Sequence, residues 1–339
     1  MAGDHPIKQQ HYRSIHYLRG IAALMVVIYH IFSYGMVADL PRGSVQWMKH
    51  GVAIFFVISG FVMVVSTAKR PNDPGDFILR RLLRVVPLYW VATLFLFAAG
   101  LTHPGDLQRL APSLLFVPMV VDGAPKAAGP VLEVGWTLYL EMAFYLLFAA
   151  AMVMPRRWAI PVTVGILCLV SPVTALVPGN ALASFYAHPG LLNFAGGMVI
   201  AWTRIRLPAW TVPLGFTLMA WFANTSSPDY TLAVTIPALL IIGGALGAES
   251  KLPSPERLPM KFLATLGDAS FAIYLMHFAT FNLLVAPLAG YPAKALVIIP
   301  LATGLATLVG IMVHRHVEQP LTRLLGGNLK RQSASPLPA

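Results

Sequence analysis

Arg19 and His30 carry the strongest chemical signal in the sequence, because both lie in one otherwise apolar stretch. Ionisable groups inside a membrane are costly and mark functional sites. Eleven positions separate the two, which is about three helical turns and about 16 Å of rise. Arg19, Ala23, Val26 and His30 therefore form one stripe, with a cation near the inner surface and an imidazole deep in the membrane. An imidazole so placed suits general-base work. The plainer reading, an interfacial anchor and a satisfied core histidine, stands beside it.

A second acidic and aromatic stripe runs through Thr137, Glu141 and Tyr145 at i, i+4 and i+8. Counted from the outer ends of their spans, Glu141 and His30 lie at one depth, about 9 Å in. A carboxylate facing an imidazole would orient it as a base, so Glu141 is expected to partner His30. A charge-neutralising packing pair is the alternative. The stretch Phe77-Ile-Leu-Arg80-Arg81-Leu-Leu-Arg84-Val-Val-Pro87 would present a guanidinium cluster on a helix. Arginine forks suit phosphate oxygens, although a topology anchor on anionic headgroups reads equally well. Ser270, Tyr274 and His277 at i, i+4 and i+7 make one polar face, expected to line a buried cavity. Ser59 and Asn193 are further lining candidates.

Other chemistries find no support. No GxGxxG after a strand, Walker A loop, HExxH or GxSxG is present. His314 and His316 face opposite sides of a helix, so they make no metal site, and none is expected. The lone Cys168 excludes disulfides and CxxC chemistry.

The elements that must position these residues are helices in a bilayer. The chain has 339 residues, 57% hydrophobic and only 11% charged, with a mean hydropathy of +0.70. Soluble domains carry about 25% charge. A span needs about 20 mainly apolar residues. Ten candidates fit: 15–36, 50–68, 82–100, 135–154, 158–178, 189–203, 209–223, 230–248, 270–289 and 293–316. The stretch 107–121, broken by Pro112 and Pro118, reads as a re-entrant or interfacial piece of an outer loop. With both termini cytoplasmic, 19 of the 24 basic residues fall inside, as the positive-inside rule asks. The outer set is Arg42, Lys49, Arg109, Lys126 and Lys294, and Asn224–Pro228 reads as an outer turn. The formal charge of +11 is thereby explained without nucleic acid. The expected fold is all-α, a polytopic bundle of about ten transmembrane helices. A cytoplasmic segment 1–14 precedes the transmembrane domain 15–325, and a short disordered tail 326–339 follows it. No secretory signal is evident; the first apolar segment suits a retained span.

The same residues resemble the acyltransferase-3 family of integral membrane acyltransferases. "SIHYLRGIAALMVVIYH" matches its Arg-x10-His pattern through Arg19 and His30, and "GVAIFFVISGFVM" its second span. "FILRRLLRVVPLYW" is similar to its arginine-rich third span, and "GWTLYLEMAFYLLF" to the span with the acidic residue, here Glu141. "LGDASFAIYLMHF" and "HVEQPLTRLL" resemble its last landmarks, with Tyr274, His277 and Glu318. The likeness covers roughly residues 14–325, six motifs in order, and around Trp136 and Glu141 it is nearest the exopolysaccharide-acetylating subgroup. It implies a bacterial inner-membrane enzyme. Acyl-CoA, with acetyl the expected group, would bind from the cytoplasm, and a saccharide hydroxyl would receive the acyl group at the far face. Arg19, Arg80, Arg81 and Arg84, with Tyr274 and His277, would then hold the donor. Ser59, Trp136 and Asn193 would face the acceptor, His30 would be the base, and Glu141 would orient it. Direct transfer and an acyl-histidine intermediate both remain open. A proton-coupled transporter using the His/Glu pair and a non-enzymatic scaffold of polysaccharide assembly are the rival readings.

Overall fold

Hydrocarbon offers no water to backbone amides, so a chain this apolar must satisfy them within helices or a closed barrel. The computed structural model describes residues 12–35, 37, 40–68, 72–101, 106–120, 127–174, 180–223, 231–285 and 295–332. Among them there is no strand, only an isolated antiparallel bridge between Met119 and Ala128. Several sequence expectations lie outside the described residues: the N-terminal segment to residue 11 with Lys8, then Lys69, Arg70, Lys126, Lys294, the Asn224–Pro228 turn and the tail beyond 332.

The helices are α1 (Arg13–Ser33), α2 (Gly51–Thr67), α3 (Pro74–Ala98), α4 (Asp106–Leu114), α5 (Trp136–Ala151), α6 (Arg156–Thr174) and α7 (Ala181–Tyr186). They continue as α8 (Leu191–Thr203), α9 (Thr211–Ala223), α10 (Ile236–Ala248), α11 (Leu258–Thr280), α12 (Ala295–Val313) and α13 (Gln319–Gln332). Among the described residues, seven helical segments are long and apolar enough to cross a bilayer, built on α1, α2, α3, α5, α10, α11 and α12. The chain is a multi-pass helical protein of the membrane. The other three expected spans fall on α6, α8 and α9. Helices α8 and α9 have 13 residues each, or about 20 Å of rise, against about 30 Å of hydrocarbon.

One segment differs from expectation. Helix α3 starts at Pro74, well before residue 82, because Asp73 caps it by accepting from the amides of Gly75 and Asp76. The arginine cluster therefore sits inside a spanning helix, not in a loop before it. The stretch 107–121 gives only the nine-residue α4. The Tyr89 hydroxyl donates to the Ser113 carbonyl at 3.1 Å and the Trp90 indole to that of Leu114 at 2.8 Å, tying this piece to α3.

Two close helix contacts position the site. Helices α1 and α11 run parallel and in register. Gly20 packs on Leu266 and Gly267, and ten residues further along His30 meets His277, both pairs offset by 247. Small residues allow such approach where no hydrophobic force drives helices together. The start of α1 is held by Glu249, whose carboxylate accepts from the Arg13 and Ser14 amides at 2.8 and 2.9 Å, favourably placed at a helix N-terminus. Helices α2 and α8 touch backbone to backbone: Gly60 lies on the Phe194 carbonyl and Gly197 on that of Val57. Phe194 stacks between Phe56 and Phe144, centroids 4.5 Å away on each side, so α5 is keyed to both.

A side chain at Gly197 should force α2 and α8 apart. Gly197→Ala is expected to destabilise the protein by about 1–3 kcal/mol, read as a lowered thermal midpoint in detergent. Gly304→Ala, with no atom near the added methyl, should leave the midpoint unchanged or slightly raised. Equal midpoints for the two variants would refute the close-contact account.

Candidate active site

The start of α1 and the ends of α2, α8 and α10 gather at one face of the bundle, here called the inner face. Behind it lies a cavity of about 110 Å³ between α1, α2, α3, α5 and α11. Arg19, Arg81 and Arg84 line it, opposed by Glu141, the only acidic group in the wall among the described residues. Three guanidiniums against one carboxylate leave positive charge that favours an anionic ligand.

Each polar group in the wall is held by a neighbour. The Ser59 and Tyr145 hydroxyls both donate to Glu141 Oε1, at 2.7 and 2.5 Å. Arg81 donates to Ser66 Oγ at 2.7 Å, and its guanidinium lies 5.6 and 5.9 Å from the Phe77 and Tyr145 ring centroids. That stacking suits the planar arginine head and not a lysine. The Tyr274 hydroxyl donates to the Val134 carbonyl and lies 2.9 Å from Thr137 Oγ1, closing the cavity toward the outer half. Arg19 feels Arg84 together with Glu318 and Glu141.

One turn beyond Tyr274 on α11 stands the second constellation. His30 Nδ1 is 2.9 Å from the Val26 carbonyl and 3.1 Å from His277 Nε2. His277 Nδ1 is 2.7 Å from the Tyr274 carbonyl. A carbonyl only accepts, so each Nδ1 carries its hydrogen. His30 Nδ1–H is then shared between the Val26 carbonyl and His277 Nε2, which leaves the lone pair of His30 on Nε2. The partners thus assign the tautomer that a general base needs. His277 is fully buried, while His30 keeps some exposure beside Tyr34 and Phe278.

The structure brings together Arg19, Arg81, Arg84, Ser59, Glu141 and Tyr274, and places the other expected residues differently. Glu141 makes no hydrogen bond or ion pair with His30 among the described residues: it lies one turn along α5 from Thr137, which meets Tyr274, and its carboxylate turns to α2, where Ser59 takes it. The side chain that meets His30 is His277, which was expected to hold the donor. Arg80 faces out and pairs with Asp76 one turn earlier on its own helix, where the i, i+4 spacing favours that pair over a cluster. Trp136 and Asn193 are absent from the cavity wall. Trp136 packs on Phe56 and His188, and Asn193 is buried on α8. Ser270 also turns away, donating to the Gly267 carbonyl of its own helix at 2.8 Å.

Sequence reasoning missed a further set. An open basin of about 1000 Å³ on the inner face is lined by Arg156, Arg157, Arg204 and Arg206, with Arg19 and Arg84 at its floor. These four arginines read only as inner-loop charge. One signal belongs to the backbone: Arg204 ends α8 in the left-handed region, φ 58° and ψ 26°. Glycine is usual there, and other residues carry a cost of about 1–2 kcal/mol.

A family model described as an acyltransferase domain (Acyl_transf_3) matches residues 12–315. The chain belongs to the acyltransferase-3 family. Among curated relatives, the exopolysaccharide production protein ExoZ of Rhizobium meliloti (strain 1021) is 36% identical over 293 residues, covering 80% of this chain and 89% of the relative. Nodulation protein 10 of Rhizobium leguminosarum bv. viciae is 27% identical, covering 81% and 84%. Acyltransferase MdmB of Streptomyces mycarofaciens is 29% identical, covering 91% of each. No solved structure matches. By family the chain is a membrane acyltransferase.

The wall makes a contrast between neighbouring arginines. Arg84→Ala should weaken binding of acetyl-CoA about 10- to 100-fold, the range for a charge-assisted contact. Arg80→Ala should leave it within twofold, on the order of a surface pair. Titration of purified protein checks both, and equal losses would contradict the assigned wall.

Proposed function

We propose that this chain moves an acyl group, acetyl in the first instance, from acyl-CoA on the cytoplasmic side of a bacterial inner membrane to a hydroxyl of an exopolysaccharide or other cell-surface saccharide. The helical domain 15–325 is the catalytic unit in this reading. The observation that carries it is the His30–His277 hydrogen bond, which sets a lone pair on His30 Nε2 three turns above Arg19 on the same helix.

The charge at the two faces supports the direction. The arginine-lined cavity opens toward the face where α1 begins, and the distance from Arg19 to His30, about 16 Å, suits the arm that separates a thioester from its nucleotide. His30 lies toward the opposite face, where a saccharide would arrive. The parallel run of α1 and α11 agrees with their places as first and ninth spans of a ten-span plan with both ends cytoplasmic. The acceptor class is carried over from the printed name of the exopolysaccharide production protein.

In the reaction, His30 Nε2 takes the proton of the acceptor hydroxyl as its oxygen bonds to the thioester carbonyl carbon. His277 Nε2 accepts from His30 Nδ1–H and holds the ring through the step. The carbonyl bond then reforms, the C–S bond breaks, and the imidazolium returns its proton to the leaving thiolate. The products are the ester and free thiol. Glu141 belongs to the donor side: it fixes Ser59 and Tyr145 among the arginines. The transport reading rested on a His30–Glu141 pair; among the described residues Glu141 accepts from Ser59 and Tyr145 instead.

Thiol release from acetyl-CoA in the presence of host exopolysaccharide tests the reading. His30→Ala should lower kcat at least 10²-fold, the range for a general base, with membrane abundance unchanged. His277→Ala should lower kcat with donor KM unaltered, and His277→Gln, whose amide oxygen can accept from Nδ1–H, should recover part of the loss. Full thiol release by His30→Ala would end this assignment.

A further inference from the structure

The basin on the inner face is larger than the inner cavity by roughly tenfold, about 1000 against 110 Å³. Arg19, Val62 and Arg84 border both, so the two hollows meet at a neck held by two guanidiniums. Above the neck, Arg156 and Arg157 come from the start of α6, and Arg204 and Arg206 from the turn between α8 and α9. The positive-inside rule accounts for the side on which such residues stand. It does not account for two separate turns aiming four arginines into one hollow.

Three observations point to a polyanionic occupant. Among the described residues, no acidic side chain lines the basin. Among the described residues, no ion pair engages Arg156, Arg157, Arg204 or Arg206. Arg204 keeps a left-handed backbone where glycine would sit without strain, and strain retained at a charged residue points to a role for its side chain. Size separates the roles of the two hollows: the inner one admits a narrow arm, and the basin is at the upper end of ligand pockets. Trp202 on its rim, 54% exposed, adds aromatic surface of the kind on which a base stacks.

We propose that this basin binds the phosphorylated nucleotide end of the CoA donor, with Arg156, Arg157, Arg204 and Arg206 as its phosphate-binding residues. It rests on the acyl-CoA reading above and adds a specificity: these arginines distinguish a nucleotide-bearing thioester from a shorter one. Arginine forks engage phosphate oxygens in pairs, and Arg19 and Arg84 at the neck then meet the diphosphate where the arm begins.

The test uses the full chain in nanodiscs of zwitterionic phosphatidylcholine and, in parallel, of phosphatidylcholine with anionic phosphatidylglycerol. Adenosine 3′,5′-bisphosphate is titrated as the probe, and KM is measured for acetyl-CoA and for S-acetyl-pantetheine. The wild-type chain should bind the probe. Arg204→Gly and Arg156→Gln/Arg157→Gln should each weaken it about tenfold and raise KM for acetyl-CoA by a similar factor in both lipids, leaving S-acetyl-pantetheine unaffected. Glycine suits the backbone of position 204, so the thermal midpoint should hold or rise and misfolding cannot explain the loss. Absence of probe binding, equal KM shifts for both donors, or variant effects confined to the anionic lipid would overturn the inference, the last assigning the arginines to headgroups. Probe binding that depends on these arginines without thiol release from acetyl-CoA would keep the nucleotide site and sink the proposed reaction instead.

Discussion

A polar side chain in a bilayer must find its partner inside the protein. The parallel contact of α1 and α11 meets that demand for both histidines at once. Each Nδ1 reaches back to a carbonyl of its own helix. The bond between the rings follows from the register of the two helices. The rest of the site is built outward from that pair: Tyr274, one turn earlier, closes the cavity, and the arginines of α1 and α3 fill its inner end.

The other half of the arrangement is set by backbone proximity. Gly60 and Gly197 bring α2 against α8, and the stacked rings of Phe56, Phe194 and Phe144 carry that contact on to α5. The position of Glu141 follows: it stands where α5 faces α2, and Ser59 is what α2 offers there. Family membership and the helix arrangement agree on a membrane acyltransferase, while donor, acceptor and residue roles rest on the reading of these contacts.

How much of this was legible in the sequence depends on dimension. Properties along a helix were readable: the Arg19–His30 stripe, the Thr137–Glu141–Tyr145 stripe, and the placement of ten apolar stretches on helices. Properties around and between helices were not. Depth in the membrane can be counted, but the direction in which a residue points depends on rotation about the axis and on which neighbour is adjacent. Glu141 turns to Ser59 of α2 and His30 to His277 of α11, pairings that a count along either helix does not give. Arg80 was different, since Asp76 four positions earlier already announced its partner. The arginines of the α5–α6 and α8–α9 turns carried a double signal, and topology alone could explain it. Only their convergence on one hollow, and the backbone of Arg204, separates the two meanings.

The α1–α11 pair also works as a lever. Its fulcrum is the tight glycine contact at Gly20 and Gly267, and its working end lies about 15 Å away at the imidazoles, by the rise of ten residues. A rocking of about 5° about that pivot would swing the far end by about 1.3 Å, given that lever arm. That is enough to open a hydrogen bond of 3.1 Å between the two rings. The smallest residues in the two helices therefore set how closely the two imidazoles meet, from a point that touches neither ring.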